Sequence, residues 1–239
     1  FLWFFIFCPY LHIVPLDAAA LILTLVGLNM ELDEASFDDR VIRVYKALNL
    51  ERTHPENIDI VHLRGKIEKL DKLVPQINRT LKAKEYAAVI LDPTYKLGIG
   101  DENAADQVTA FCNAIDKIAN SGVSVIYAHH HSKGAGHKYT NAADRSSGSG
   151  VFARDPDAIL DMVQINAEGV EDKYREQVPD ATDKLSAWEM SSTLREFPPQ
   201  AVTRLWFDFP LHRLDEWNFL AEAKYLDTGQ RGVGKDQKT

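Results

Sequence analysis

Polar groups that could do hydrolytic chemistry follow two apolar runs of this sequence. Asp92 comes directly after the run 87–91, and His129 and His130 follow the run 123–128. Short, continuous apolar runs rich in β-branched residues are typical of buried parallel strands. Because open α/β sheets bind ligands outside the carboxyl ends of their strands, we expect Asp92 and the histidines to lie side by side at one edge of a sheet.

Glu31 is a third candidate, because it follows the apolar run 21–30. A carboxylate beside the terminal phosphate of a nucleotide can orient and deprotonate an attacking water. An aspartate at the end of a hydrophobic strand, such as Asp92, can hold Mg²⁺ in nucleotide hydrolases. Each residue also has a plain structural explanation: Glu31 could begin a helix, where the helix dipole favours it, and Asp92 could cap a turn.

The histidines 129–131 allow two interpretations. Neutral imidazole is a common metal ligand, which keeps a metal-dependent hydrolase open as a function. Neighbouring strand residues point to opposite faces, however, so adjacent histidines do not easily converge on one ion. We therefore prefer a polar sensor of the terminal phosphate, with His130 as the first choice and His129 as the second.

The polar loop after these histidines contains Arg145. An arginine in such a loop can reach the nucleotide of a neighbouring subunit and stabilise charge in the transition state. A solvated loop arginine is the structural alternative, and Arg154 is a rival candidate.

Strands and helices must position these groups, and the hydrophobic pattern predicts that they alternate. Strands are predicted at 21–30, 58–63, 87–92, 123–128 and 157–165, and helices from Asp33 or Ser36 to 48, at 65–84 and at 104–120. Either Asp33 or Ser36 could cap the first helix, Pro75 should disturb the second, and Asn103 should cap the third. Alternation of this kind indicates an α/β fold with a mainly parallel sheet flanked by helices.

The pattern changes after 165. The polar stretch 167–186 is predicted to be a mobile loop or linker. Antiparallel strands are predicted at 188–197 and 204–209, separated by Pro198 and Pro199. We expect the Gly- and Lys-rich tail, 227–239, to be flexible.

Composition narrows the class of protein. The chain has 239 residues, of which 45% are hydrophobic and 26% are charged. These fractions are those of an ordinary globular protein. A net charge of -8 argues against a generally basic nucleic-acid coat protein, although a local basic lining remains compatible with it.

Cys8 and Cys112 match no metal or redox motif, so we expect a reduced, cytoplasmic protein. Pro9, Pro15 and Asp17 interrupt the apolar N-terminal stretch, which disfavours a transmembrane helix there.

Together these stretches resemble the RecA-like ATPases of the RepA/DnaB hexameric helicase type, in particular the RepA-like AAA ATPases of plasmids, phages and other mobile elements. The matching stretches are LNMELDEASFDDRVIRV at 28–44, AAVILDPTYKLGIGDEN at 87–103, VSVIYAHHHSKG at 123–134 and DRSSGSGVFARDPDAIL at 144–160. Near the C-terminus, LREFPPQ and FDFPLHRLD also resemble that group.

The resemblance implies a role for each matching residue. Glu31 corresponds to the catalytic base, with Arg40 as its partner in the same segment, and Asp92 corresponds to the Walker B aspartate that holds Mg²⁺. His130 corresponds to the sensor, and Arg145 lies near the arginine-finger loop. The residues implied in binding ATP are Asp92, His129, Lys133, Gly148 and Ser149.

The sequence departs from the family ahead of Glu31. The family has a Gly-rich Walker A loop there, ending in Gly-Lys-Ser/Thr, which cradles the phosphates with backbone N–H groups. Residues 1–27 contain one glycine, Gly27, and no lysine. We therefore expect residues 1–24 to be an aberrant apolar segment, such as a frameshift, a truncation or a faulty gene start would produce.

The leading hypothesis is thus a RecA-like ATPase domain at 25–226, from a helicase that acts on single-stranded DNA. We expect a homo-oligomeric ring, a hexamer, with no membrane partner. We expect ATP binding to be deficient in this chain because it lacks the Walker A loop. The alternatives are a non-catalytic assembly or DNA-binding module that has kept the fold, and the metal-dependent hydrolase.

Overall fold

The computed structural model describes residues 25–49, 57–97, 104–130, 151–198 and 200–226. The chain divides into two compact units. Of the described residues, the first unit contains 25–130 with its gaps and 151–156, and the second contains 157–226 without 199.

The first unit is built on a four-stranded parallel sheet in the order β2-β1-β3-β4. Its strands are β1 (Leu25–Asn29), β2 (Ile58–His62), β3 (Ala88–Asp92) and β4 (Ser124–Tyr127). Val89, Ile90 and Leu91 are at most 2% exposed, since the central strand is covered on both faces. This burial confirms the interpretation of the apolar runs as parallel strands.

Helices cover both faces of this sheet. They are α1 (Glu34–Ala47), α2 (Leu70–Ala83) and α3 (Ala105–Ala119), and a short α4 (Val151–Arg154) follows later in the chain. Successive strand residues serve opposite faces. Val89 and Leu91 pack in the core formed with α2 and α3, whereas Ile90 packs against Phe37 of α1.

The helix ends differ in part from the predictions. Asp33 caps α1, because its carboxylate accepts a hydrogen bond from the Ser36 backbone N–H at 2.9 Å. The second helix begins at Leu70 rather than at 65, since Gly65 adopts a φ of 75° in a turn, and it then continues through Pro75. The N-cap of α3 is Ala104, and Asn103 lies outside the described residues.

The second unit contains a four-stranded antiparallel sheet in the order β5-β6-β7-β8. Its strands are β5 (Ala158–Ile165), β6 (Leu185–Leu194), β7 (Thr203–Asp208) and β8 (Leu211–Leu214). The prediction of a loop or linker at 167–186 is wrong, because this stretch contains α5 (Glu171–Gln177). Tyr174 of α5 is fully buried and stacks on Trp206 of β7, so the helix belongs to the core despite its polar sequence.

No helix in the described parts of the chain is long and apolar enough to cross a membrane. The predicted segments 1–24 and 227–239 lie outside the described residues. The predicted fold class, a mainly parallel sheet flanked by helices with antiparallel strands toward the C-terminus, is confirmed.

Candidate functional site

Asp92 lies at the carboxyl edge of the parallel sheet, between the ends of two neighbouring strands. It pairs in register with Asn29 of β1, and Leu91 pairs with Tyr127 of β4. The Ala128 backbone N–H donates to the Leu91 carbonyl at 3.0 Å, which carries the pairing past the end of β4. The residues after β1, β3 and β4 therefore meet at one edge, as expected from the apolar runs.

Asn29 shapes the turn that presents Glu31. Its side-chain Oδ1 accepts hydrogen bonds from the backbone N–H groups of Leu32 at 3.1 Å and Glu31 at 3.4 Å. Its Nδ2 donates to the Leu32 carbonyl at 2.9 Å and contacts His62 Nδ1 at 3.0 Å. Since the two backbone donors fix the direction of the amide, His62 Nδ1 is the acceptor. Asn29 is only 4% exposed, so this turn rests on a buried group whose polar atoms are satisfied.

Thr94 ties the segment after β3 to the segment after β4. It is fully buried, and both its backbone N–H and its Oγ1 donate to the Ala128 carbonyl at 2.9 Å. His129 Nδ1 lies 3.3 Å from Thr94 Oγ1, and the His129 ring stacks on Phe152 with centroids 4.7 Å apart. Because the hydroxyl proton is directed at the carbonyl, His129 Nδ1 is the donor in the second contact. These two contacts therefore fix the orientation of the His129 ring.

Tyr95 contacts two of the predicted catalytic residues. Its hydroxyl donates to Glu31 Oε1 at 3.2 Å, and its ring centroid lies 5.6 Å from that of His130. Lys96 Nζ lies 5.1 Å from the centroid of the same ring. Glu31, Tyr95 and His130 are all exposed, which is the state expected of groups that meet a ligand from solvent.

The remaining predicted site residues are Arg40, Lys133, Arg145, Gly148 and Ser149. Lys133, Arg145, Gly148 and Ser149 lie outside the described residues. Arg40, the predicted partner of Glu31, is exposed on α1. Arg154, the rival of Arg145 as the arginine finger, is the last residue of α4 and is also exposed.

The described parts of the chain contain no group of three or more His, Cys, Asp or Glu side chains that could hold a metal ion. A dedicated protein cage for zinc needs such a group. Mg²⁺ needs fewer protein ligands, because it retains waters and binds through one or two carboxylates together with substrate phosphates. The half-buried carboxylate of Asp92 fits this second mode.

Cys112, the cysteine among the residues that the structure describes, is disfavoured as a nucleophile. Burial, together with a hydrogen bond to Asp155, raises the pKa of the Cys112 thiol to about 12. The thiolate is the reactive form, so Cys112 is a packing residue at neutral pH.

Asn29, His62, Thr94 and Tyr95 were missed as site residues from the sequence. Asn29 ends an apolar run, and Thr94 and Tyr95 immediately follow Asp92, so their position at strand ends was the available signal. Nothing in the sequence pairs His62 with Asn29, because that contact depends on β2 lying beside β1.

Comparison with known proteins shows which family and which solved structures this chain is similar to. The AAA domain family matches residues 23–136. The structure is similar to a KaiC-like protein from the hyperthermophilic archaeon Pyrococcus horikoshii, with 11% identity, a TM-score of 0.50 and coverage of 77% of this chain and 71% of that one. It is also similar to a DnaB-like replicative helicase, with 14% identity, a TM-score of 0.53 and coverage of 79% of this chain and 49% of that one. No curated protein matches.

Residues 23–136 are thus similar to the AAA domain family, and the chain shares the fold of both solved structures, which supports the resemblance to RecA-like ATPases drawn from the sequence motifs. At these identities the two solved structures establish the fold. The chain spans about half the length of the DnaB-like helicase that it resembles.

Proposed function

We propose that residues 25–226 are the ATPase domain of a RepA-like helicase for DNA replication or the maintenance of a mobile element. The observation that carries this proposal is the meeting of Glu31, Asp92 and His130 at the carboxyl edge of one parallel sheet. This is where sheets of this class bind nucleotides. We propose that six copies of the chain form a ring and that the ring binds single-stranded DNA. We propose the cytoplasm as its location.

Each residue has a distinct part in ATP hydrolysis. The Glu31 carboxylate accepts a proton from a water that attacks the terminal phosphorus, so the bond to the leaving ADP oxygen breaks as the new oxygen–phosphorus bond forms. Asp92 would hold Mg²⁺, which when bound neutralises charge on the phosphates. The exposed His130 imidazole donates to the terminal phosphate and so distinguishes ATP from ADP.

The buried shell behind these groups supports the proposal. Asn29 is 4% exposed and bonds the backbone beside Glu31, and Thr94 is fully buried and bonds the backbone carbonyl two residues before His130. A catalytic group acts efficiently only if its neighbours hold it in the productive geometry. A surface carboxylate with no role would not need such a shell.

The printed sequence lacks the Gly-x-x-x-x-Gly-Lys-Ser/Thr loop that fixes the β- and γ-phosphates in this class. Phosphoryl transfer depends mainly on positioning and charge stabilisation. We therefore propose that these 239 residues alone bind ATP weakly, although their catalytic edge is intact.

Equilibrium binding of ATP with Mg²⁺ tests the proposal. The purified chain should bind weakly, and a version with a family P-loop segment in place of residues 1–24 should bind well. The junction lies before Leu25 because Leu25 already pairs with Ile58 and Ala88. In that version Asp92→Asn should remove the Mg²⁺ dependence, whereas Asp106→Asn, on the exposed first turn of α3, should not.

Two results would count against this function. Failure of the P-loop version to bind nucleotide would favour a non-catalytic assembly or DNA-binding module. Binding that keeps its full Mg²⁺ dependence in Asp92→Asn would mean that the nucleotide lies elsewhere.

A further inference from the structure

We propose that Tyr95 is a positioning residue that couples the candidate sensor His130 to the candidate base Glu31. This inference rests on the proposed function, because it assumes that Glu31 and His130 serve the same reaction. Tyr95 touches both: its hydroxyl donates to Glu31 Oε1 at 3.2 Å, and its ring lies 5.6 Å from the His130 ring at an interplanar angle of 53°.

The backbone on either side of Tyr95 is fixed, so the ring occupies a defined place. The residue belongs to the 3₁₀ turn Thr94–Leu97, which directly follows β3. Thr94 is fully buried and bonded to the Ala128 carbonyl, and Leu97 is 1% exposed in the core. Tyr95 between them is 44% exposed, so its side chain is presented along the sheet edge instead of filling the core.

Through these two contacts, Tyr95 can transmit a displacement of His130 to the Glu31 carboxylate. The hydroxyl engages one oxygen of the Glu31 carboxylate and restricts its rotation, while Oε2 can accept the proton of a water. The ring is in contact with the imidazole of His130, which follows β4, the strand beside β3 in the sheet. When His130 moves toward a terminal phosphate, the ring must shift, and the hydrogen bond to Glu31 shifts with it.

A second tyrosine of the same unit supplies a matched control. The Tyr86 hydroxyl donates to Asp59 Oδ2 at 2.6 Å, and Lys84 Nζ lies 5.5 Å from its ring centroid. Tyr95 likewise bonds a carboxylate and lies beneath a lysine. Tyr86 precedes β3 whereas Tyr95 follows it, so Tyr86 is at the opposite end of the strand from the candidate site.

The test is an NMR cycle on the full 239-residue chain with labelled histidine rings, in which His130→Gln identifies the His130 signal. Glu31→Ala removes the acceptor of the Tyr95 hydroxyl, and Tyr95→Phe removes the hydroxyl but keeps the ring. We expect Glu31→Ala to shift the His130 ring signal in the wild-type background and to leave it unchanged in the Tyr95→Phe background. In the Tyr86→Phe background, the full shift should remain.

An equal His130 shift with and without the Tyr95 hydroxyl would overturn the coupling, as would loss of the shift in Tyr86→Phe. The chain carrying a P-loop gives a second readout: Tyr95→Phe should lower kcat about threefold to tenfold, the range for one hydrogen bond, with KM unchanged. An unchanged kcat would also overturn the proposal. If instead Glu31→Gln leaves turnover unaffected, the proposed function fails, and the NMR cycle still reports separately on the coupling.

Discussion

The two units of this chain place their polar residues in opposite ways. In the central strand β3 of the parallel sheet, the residues before Asp92 are apolar and buried, and the candidate residues Glu31 and His130 follow the ends of β1 and β4. In the antiparallel sheet, charged residues stand within the strands. Asp208 is 4% exposed in β7, and Glu189 of β6 forms an ion pair with Arg204 of β7 at 3.2 Å.

The partners of these groups explain the difference. Asp208 Oδ1 accepts hydrogen bonds from both the backbone N–H and the hydroxyl of Thr182 at 2.8 Å, so its acceptor capacity serves the fold. Glu31 instead receives one hydrogen bond from an exposed tyrosine and faces solvent. The buried polar residues should therefore control stability in both units, and the exposed ones at the edge of the parallel sheet should control chemistry. The predictions below test this division.

The largest loss of stability is expected for Trp206→Ala in the second unit. Trp206 is fully buried, stacks on Tyr174 with centroids 4.7 Å apart, and donates from Nε1 to Asp215 at 3.1 Å. Removing a buried aromatic ring should lower the free energy of unfolding of this unit by about 3–5 kcal/mol, as measured by urea denaturation. Trp217→Ala is the control, because Trp217 is 40% exposed, and it should cost about 1 kcal/mol.

A smaller loss is expected for Thr94→Val in the first unit. Valine has nearly the same shape and keeps the backbone N–H that donates to the Ala128 carbonyl, but its side chain can bond neither that carbonyl nor His129. An unmade buried hydrogen bond should cost about 1–3 kcal/mol, again by urea denaturation. Thr109→Val removes a hydroxyl that bonds Ala105 on an exposed helix face, and it should change stability by about 0.5 kcal/mol or less. Equal losses in the two variants would remove the argument for a buried shell.

His212 should give the second unit a modest pH dependence. Burial lowers the pKa of His212 to about 4, from an ordinary value of about 6.5. The unfolded chain then binds more protons than the folded chain between these values, so stability is present above pH 6.5 and is lost as the pH falls toward 4. His212→Phe should remove this part of the dependence, and the ring can still pack on Phe207. If wild type and variant lose stability equally between pH 6.5 and 4, His212 is not the cause.

Sequence patterns predicted most of the parallel unit because burial on both faces makes its strands continuous apolar runs, as in Val89 to Leu91. They failed at α5, where a polar surface hides the one buried residue, Tyr174, that anchors the helix to Trp206. They also missed β8, since Leu211–Leu214 is too short to show alternation.

For the candidate site, the sequence indicated Glu31, Asp92 and His130 because each follows an apolar run. It could not indicate Tyr95, whose two contacts depend on the order β1-β3-β4 in the sheet. The same holds for the pair Asn29 and His62, which are 33 residues apart in the chain. The ends of strands can be predicted from the local sequence, whereas contacts between strands can be predicted only when the order of the strands in the sheet is known.

ATP turnover by the chain that carries a P-loop in place of residues 1–24 tests the central claim most directly. Glu31→Gln should lower kcat at least about 100-fold, the lower limit for a general base, with ATP still bound. Glu34→Gln, an exposed neighbour in the first turn of α1, should leave kcat unchanged. Robust turnover that survives Glu31→Gln would contradict the assignment of the sheet edge as the site of hydrolysis.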